Sequence, residues 1–145
     1  MFKHILLPTD GSDLSLRAVK LGIELARTCG ARVYALHVVA PYHTISYMAE
    51  MLAATEITYT RDATVRAQQY VAEVQSMAET AGVACSTDYV FDDRPHEAII
   101  RAAGEQHCDL VVMASHGWRG VTRLLLGSEV HKVLLESEIP VLVCR

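Results

Sequence analysis

Two hydrophobic rhythms alternate along this chain. Continuous apolar or β-branched runs at residues 5–7, 32–39, 85–91, 110–113 and 141–144 predict five short strands. The run Leu110, Val111, Val112, Met113 reads as buried on both faces. Between the runs the apolar spacing becomes helical. Leu16, Val19, Ile23 and Ala26 share a face after the polar opening at 10–13, and Gly30 behind Cys29 suits a left-handed C′ position. Val65, Tyr70, Val74, Met77 and Ala81 carry a longer helix from Asp62 to Gly82. Pro95 fits the first turn of a helix running through Ile99, Ile100 and Ala103, while Ser128 is a good N-cap for a helix to about Ser137 with Val130, Val133 and Leu134 at helical spacing. Strand alternating with helix predicts one α/β domain over residues 1–145, built on a doubly wound, Rossmann-like parallel sheet of five strands.

Residues 40–60 break the rhythm. Tyr42, Ile45, Tyr47, Met48, Met51 and Leu52 allow a short amphipathic helix in a segment longer than an ordinary strand-to-helix connection. Packing against the domain is the simpler reading, and a lid or partner surface is the functional one.

Composition narrows the classes. The length of 145 residues suits one domain with a real core. Although 51% of residues are hydrophobic, no apolar run approaches the roughly 18 residues of a membrane span, and MFKHILLPTD turns polar too early for a secretory signal. The expectation is a soluble, cytoplasmic protein with no membrane partner. A net charge of −4 offers nucleic acid no general attraction, although His116, Arg119 and Arg123 place positive charge locally. Cys29, Cys85, Cys108 and Cys144 lack metal-ligand or disulfide-framework spacing and read as small buried hydrophobes, so no metal site is expected. Asp92-Asp93 invites an acid/base role, but a turn ahead of a helix accounts for both.

The chemistry concentrates at residues 110–128. The buried run stops in Ala114, Ser115, His116 and Gly117, and Gly127-Ser128 then opens a helix. A glycine-flanked turn exposes amide N–H groups, and a helix N-terminus adds orphan donors and a dipole favouring negative charge. Two such sites in one stretch suggest a polyphosphate. No paired base and nucleophile, no metal-holding carboxylate cluster and no catalytic residue can be named. The Gly-x-Gly-x2-Gly and Gly-x4-Gly-Lys-Ser/Thr patterns are absent, which argues against a dinucleotide dehydrogenase and a P-loop ATPase.

The frame Ala114-x2-Gly117-x9-Gly127-Ser128 closely resembles the nucleotide-binding signature of the universal stress protein family, Gly-x2-Gly-x9-Gly-Ser/Thr, with Ala114 in place of the first glycine. Ile5-Leu6-Leu7-Pro8-Thr9-Asp10-Gly11-Ser12 and Pro140-Val141-Leu142-Val143-Cys144-Arg145 are similar to that family's termini, so the resemblance covers nearly the whole chain. It implies a strand order of 3-2-1-4-5, which would bring Pro8-Thr9-Asp10 and residues 114–117 to one crevice. It further implies that Asp10 and the Pro8-Thr9 backbone contact adenine or ribose, that Val38 and Met113 wall the adenine pocket, and that Ser115, His116, Gly117, Gly127 and Ser128 bind the phosphates. The ligand would be ATP, with or without Mg. His116 reads as an electrostatic contact, or as having no role of its own, rather than as a proton donor. The Ala114 methyl would crowd a phosphate that a glycine admits.

The last strand, 141–144, lies at a sheet edge in that order, and two-fold pairing through it would give a homodimer, as the resemblance also implies. The leading expectation is an ATP-binding, dimeric stress-response protein whose output is a change of conformation or of protein partner, with slow ATP hydrolysis left open. The alternative is a universal-stress-type interaction module that binds no nucleotide, favoured by Ala114 and by the aromatic and Met-rich segment 42–59. A nucleotide-transferring enzyme on the same fold would require catalytic residues that are not found.

Overall fold

The computed structural model describes residues 1–43, 56–118 and 125–145. Strands β1 (His4–Pro8), β2 (Arg32–Val39), β3 (Cys85–Phe91), β4 (Leu110–Ala114) and β5 (Val141–Cys144) form a sheet in the order β3-β2-β1-β4-β5. Every pairing is parallel, with Leu6 opposite both Tyr34 and Val111. Among the described residues, four helices alternate with the strands: α1 (Asp13–Cys29), α2 (Glu56–Thr80), α3 (Pro95–Glu105) and α4 (Ser128–Glu136). This is the expected doubly wound α/β architecture, with the strand order reversing between β1 and β4.

Alternation along β1 divides the core into two layers. Ile5 and Leu7 pack with Val19 and Ile23 of α1 and Val74 of α2. Leu6 packs with Leu36, Val111, Ile99 of α3, and Val130 and Val133 of α4. Full burial of such a side chain contributes about 1.5–3 kcal/mol, so these central strands anchor the loops at their carboxyl ends. Helix α1 lies close to the sheet at Gly22, where a Cβ would overlap Leu7 Cδ2. Its ends follow the sequence signals: Ser12 Oγ accepts the Ser15 amide at 3.3 Å, and Gly30 terminates the helix at φ +68°.

Several expectations need correction. Helix α2 starts at Glu56, ahead of Asp62, and buries Ala63, Ala67, Val71, Val74 and Ala78, whereas Val65 is 47% exposed. Its inward stripe is largely alanine, because a small residue lets the helix lie close; of the expected positions Val74 is buried and Met77 and Ala81 pack against the core, and Val65 is the one that faces out. Ser128 is not the N-cap: it already belongs to α4, and Gly127 in extended conformation precedes it without a side-chain cap bond. Leu134 is exposed while Val130 and Val133 are buried. Only Cys108 is buried; Cys29, Cys85 and Cys144 are half-buried, and all four are free thiols. Among the described residues no helix is long and apolar enough to cross a membrane. Residues 44–55 of the proposed lid or partner segment, and Arg119 and Arg123, lie outside the described residues.

Candidate functional site

A cavity of about 230 Å³ opens at the carboxyl ends of β1, β2 and β4, beside the reversal of strand order where open α/β sheets take ligands. Pro8, Thr9 and Asp10 form one wall, and Leu36, His37 and Val38 a second. Met113, Ala114, His116 and Gly117 form a third, completed by Ser15, Pro95, Ile99, Glu129 and Val130. Eight residues named from the sequence thus converge on one space: Pro8, Thr9, Asp10, Val38, Met113, Ala114, His116 and Gly117.

The two loops that meet here are locked by specific bonds. Asp10 Oδ1 accepts the Ser12 amide at 2.9 Å, while Oδ2 lies so close to Gly117 that a Cβ there would overlap it. The Trp118 indole Nε1 donates to the Asp10 carbonyl at 2.7 Å, bridging positions 108 apart in sequence. Any side chain at 117 would have to displace the Asp10 carboxylate, so glycine suits this close approach of the loop that follows β1. Buried Thr9 is held by Ser15 Oγ at 3.1 Å and by the Gly11 amide, which donates to Thr9 Oγ1 at 3.2 Å.

His37 was not anticipated. Its Nδ1 lies 2.7 Å from the Thr9 carbonyl oxygen, which can only accept, so Nδ1 carries the proton. Burial lowers the His37 pKa, against smaller upward pulls from the Thr9 bond and Asp10. The ring is held neutral and presents Nε2 as an acceptor. An isolated His in a strand pattern carries no signal for this; the position becomes visible only when the end of β2 is placed beside Asp10.

At the start of α4 the arrangement differs from the sequence expectation. The Gly127 amide is not a free donor: it donates to the Ser115 carbonyl at 2.7 Å. A Cβ at 127 would lie 3.1 Å from that oxygen and 3.2 Å from His116 Cα, so the glycine serves close packing of α4 on the β4 loop. The amides of Ser128, Glu129 and Val130, in the first turn, have no intrahelical acceptor. Ser115, Gly127 and Ser128 do not line the cavity. Buried Ser115 instead donates its amide to the Cys144 carbonyl at 2.7 Å and pairs its hydroxyl with His116 Nδ1 at 3.0 Å. Ala114, paired with Cys144, ends β4 without a positive φ, so alanine sits there without backbone strain.

Glu129 is a second unanticipated residue. Its Oε2 accepts both the backbone amide of His96 at 2.9 Å and His96 Nδ1 at 3.0 Å, and Lys132 Nζ approaches Oε1 at 3.2 Å. Burial pushes its pKa up, but the bonds from His96 and Lys132 outweigh that and hold the carboxyl below its usual range. The charge is answered within the protein, at the mouth of α4. Asp92 has the structural role expected of it, accepting the Arg94 amide and the Arg101 guanidinium, each at 2.9 Å. Among the described residues no three His, Cys, Asp or Glu side chains gather to hold a metal ion.

Fold and cavity together define a doubly wound α/β protein with a ligand crevice at the switch point of its sheet. The model of the universal stress protein family matches residues 1–145, and the chain belongs to that family. A universal stress protein of Thermus aquaticus, encoded in the 3′ region of a QAH/OAS sulfhydrylase, is 34% identical over 145 residues, which is 100% of both chains. The solved structure of MJ0577 from Methanocaldococcus jannaschii superposes with a TM-score of 0.83 at 28% identity over 99% of this chain and 96% of that one. A universal stress protein of Archaeoglobus fulgidus in complex with dAMP has a TM-score of 0.71 at 18% identity, covering 100% of this chain and 98% of its own. At that identity the likeness is one of fold.

Proposed function

We propose that this chain is an ATP-binding universal stress protein, acting in the cytoplasm as a homodimer whose nucleotide state sets its conformation or its protein partner rather than driving fast turnover. The observation that carries this reading is the meeting of Asp10 and Gly117 at one cavity. Apolar Leu36, Val38, Ile99 and Met113 suit a base, and the Asp10 carboxylate can accept hydrogen bonds from ribose hydroxyls. The 230 Å³ cavity is smaller than the roughly 300 Å³ at which drug-sized pockets begin, so it suits base and sugar while phosphates extend over the rim. There the Gly117 loop and the free first-turn amides of α4 would receive them, with or without Mg. Gly127 supports the phosphate site by packing rather than by its own N–H. Ser115 and His116 shape the loop, and Ser128 contributes through its amide. The dAMP bound by the Archaeoglobus fulgidus protein accords with an adenine ligand for this fold.

Calorimetry on nucleotide-free protein should show saturable ATP binding. Asp10→Asn keeps an acceptor for the Ser12 amide but removes the charge, and should weaken ATP about tenfold, in line with the ~1.5–3 kcal/mol of a charge-assisted hydrogen bond. Absence of heat and of thermal stabilisation at millimolar ATP overturns the nucleotide reading. That result would favour the alternative, an interaction module without nucleotide, in which Ala114 replaces the glycine that admits a phosphate.

A further inference from the structure

A second cleft, of about 540 Å³, lies between α1 and the β4 loop, lined by Asp13, Leu14, Arg17, Ser115, His116 and Arg145. His116 lines both this cleft and the nucleoside-sized cavity, so the two spaces meet at one side chain. That side chain is oriented by buried Ser115, whose hydroxyl lies 3.0 Å from His116 Nδ1. Arg61, Arg94 and Arg101 each have a carboxylate within 4.0 Å, but among the described residues neither Arg17 nor Arg145 has one. Two arginines without acidic side-chain partners therefore line one cleft, and the one acidic side chain in its lining is Asp13.

We propose that Arg17 and Arg145 form an anion subsite for the distal phosphoryl groups of a nucleoside polyphosphate. The proposal rests on the nucleotide reading above, with base and sugar beside Asp10 and the phosphate chain passing His116. A guanidinium presents a planar fork of donors matched to two phosphoryl oxygens, and two such forks select for chain length. Asp13 opposes a free phosphate entering the same cleft. A phosphoryl group tethered to an anchored nucleoside arrives at high effective concentration and overcomes that opposition. The subsite thus distinguishes a triphosphate from a monophosphate instead of collecting free anions.

The test is calorimetry of the full chain with AMP and with ATP, on the wild type, R17Q, R145Q and the double variant. The wild type should bind ATP about tenfold or more tighter than AMP. Each single variant should cut that ratio several-fold, and the double variant should bring ATP to the affinity of AMP, with AMP itself unchanged. An ATP-to-AMP ratio in the double variant equal to the wild-type ratio overturns the subsite alone. Equal loss of AMP and ATP also overturns it, because the two arginines would then be serving the nucleoside cavity or the fold. If neither nucleotide binds the wild type, the nucleotide reading falls and the subsite falls with it.

Discussion

His4 illustrates how burial decides what a single side chain does. It is 4% exposed, its Nδ1 lies 2.8 Å from the Gln106 carbonyl, and its Nε2 is buried without a hydrogen-bond partner. Because a carbonyl only accepts, Nδ1 holds the proton and Nε2 is a bare lone pair, with the Tyr34 ring edge-on at 6.3 Å. Burial lowers the His4 pKa, with a smaller push from Arg32, while the Gln106 bond and Asp109 pull upward. The folded imidazole therefore binds its proton less readily than the unfolded one, whose pKa is about 6.5. Stability contributed by neutral His4 is present above that value and declines as pH falls through it towards the lower folded pKa. Thermal unfolding followed from pH 7.5 to 5 should show this loss, and His4→Phe should reduce it, leaving the decline of the same sign from His37. Asp10 could be singled out from the sequence because residues 5–12 resemble the family's N-terminal segment. His4 and His37 could not, since their properties come from desolvation by residues distant in sequence.

The docking of α4 depends on contacts that no single segment carries. Its entry is held by the Gly127 amide on Ser115, and its first turn is tied to α3 through Glu129 and His96. Gly127→Val would drive a branched side chain into the Ser115 carbonyl and the His116 backbone, where even a Cβ has only 3.1–3.2 Å. The expected outcome is loss of ATP binding, read by calorimetry, as α4 and the His116 loop separate, with the buried strands keeping the far-ultraviolet spectrum native. Unchanged ATP affinity in this variant would place the nucleotide elsewhere. The strands were readable because runs such as 110–113 are apolar on both faces and have few alternatives. The inward face of α2 was read only in part: Val74, Met77 and Ala81 were found, but Ala63 and Ala67 were missed because alanine is weaker in hydropathy than the exposed Val65. The true cap of α4 was missed because Ser is the commoner capping residue, whereas Gly127 answers to packing against Ser115.

At the scale of the assembled sheet, the order β3-β2-β1-β4-β5 leaves β5, among the described residues, paired on one side only, through β4. Leu142 on this edge is 38% exposed. An uncovered apolar edge strand invites a partner strand, and a second copy related by a two-fold axis can supply it. Sedimentation at micromolar concentration should therefore give a dimer, and Leu142→Asp should shift it to the monomer; a monomeric wild type would count against pairing through β5. The parallel doubly wound sheet was legible in advance from alternating strands and helices, whereas its strand order was implied by the resemblance of residues 5–12 and 140–145 to the family's termini. How the cavity and the cleft beside it share His116 was not, since that depends on the side chains of α1 and the β4 loop lying side by side.

Trp118 is the chain's single tryptophan, and its indole is pinned to the Asp10 carbonyl while 67% of its surface faces solvent. Its emission therefore originates at the junction of the β1 and β4 loops and nowhere else. The unlabelled protein carries its own optical reporter for that junction, and occupancy of the crevice can be followed in real time without attaching a dye.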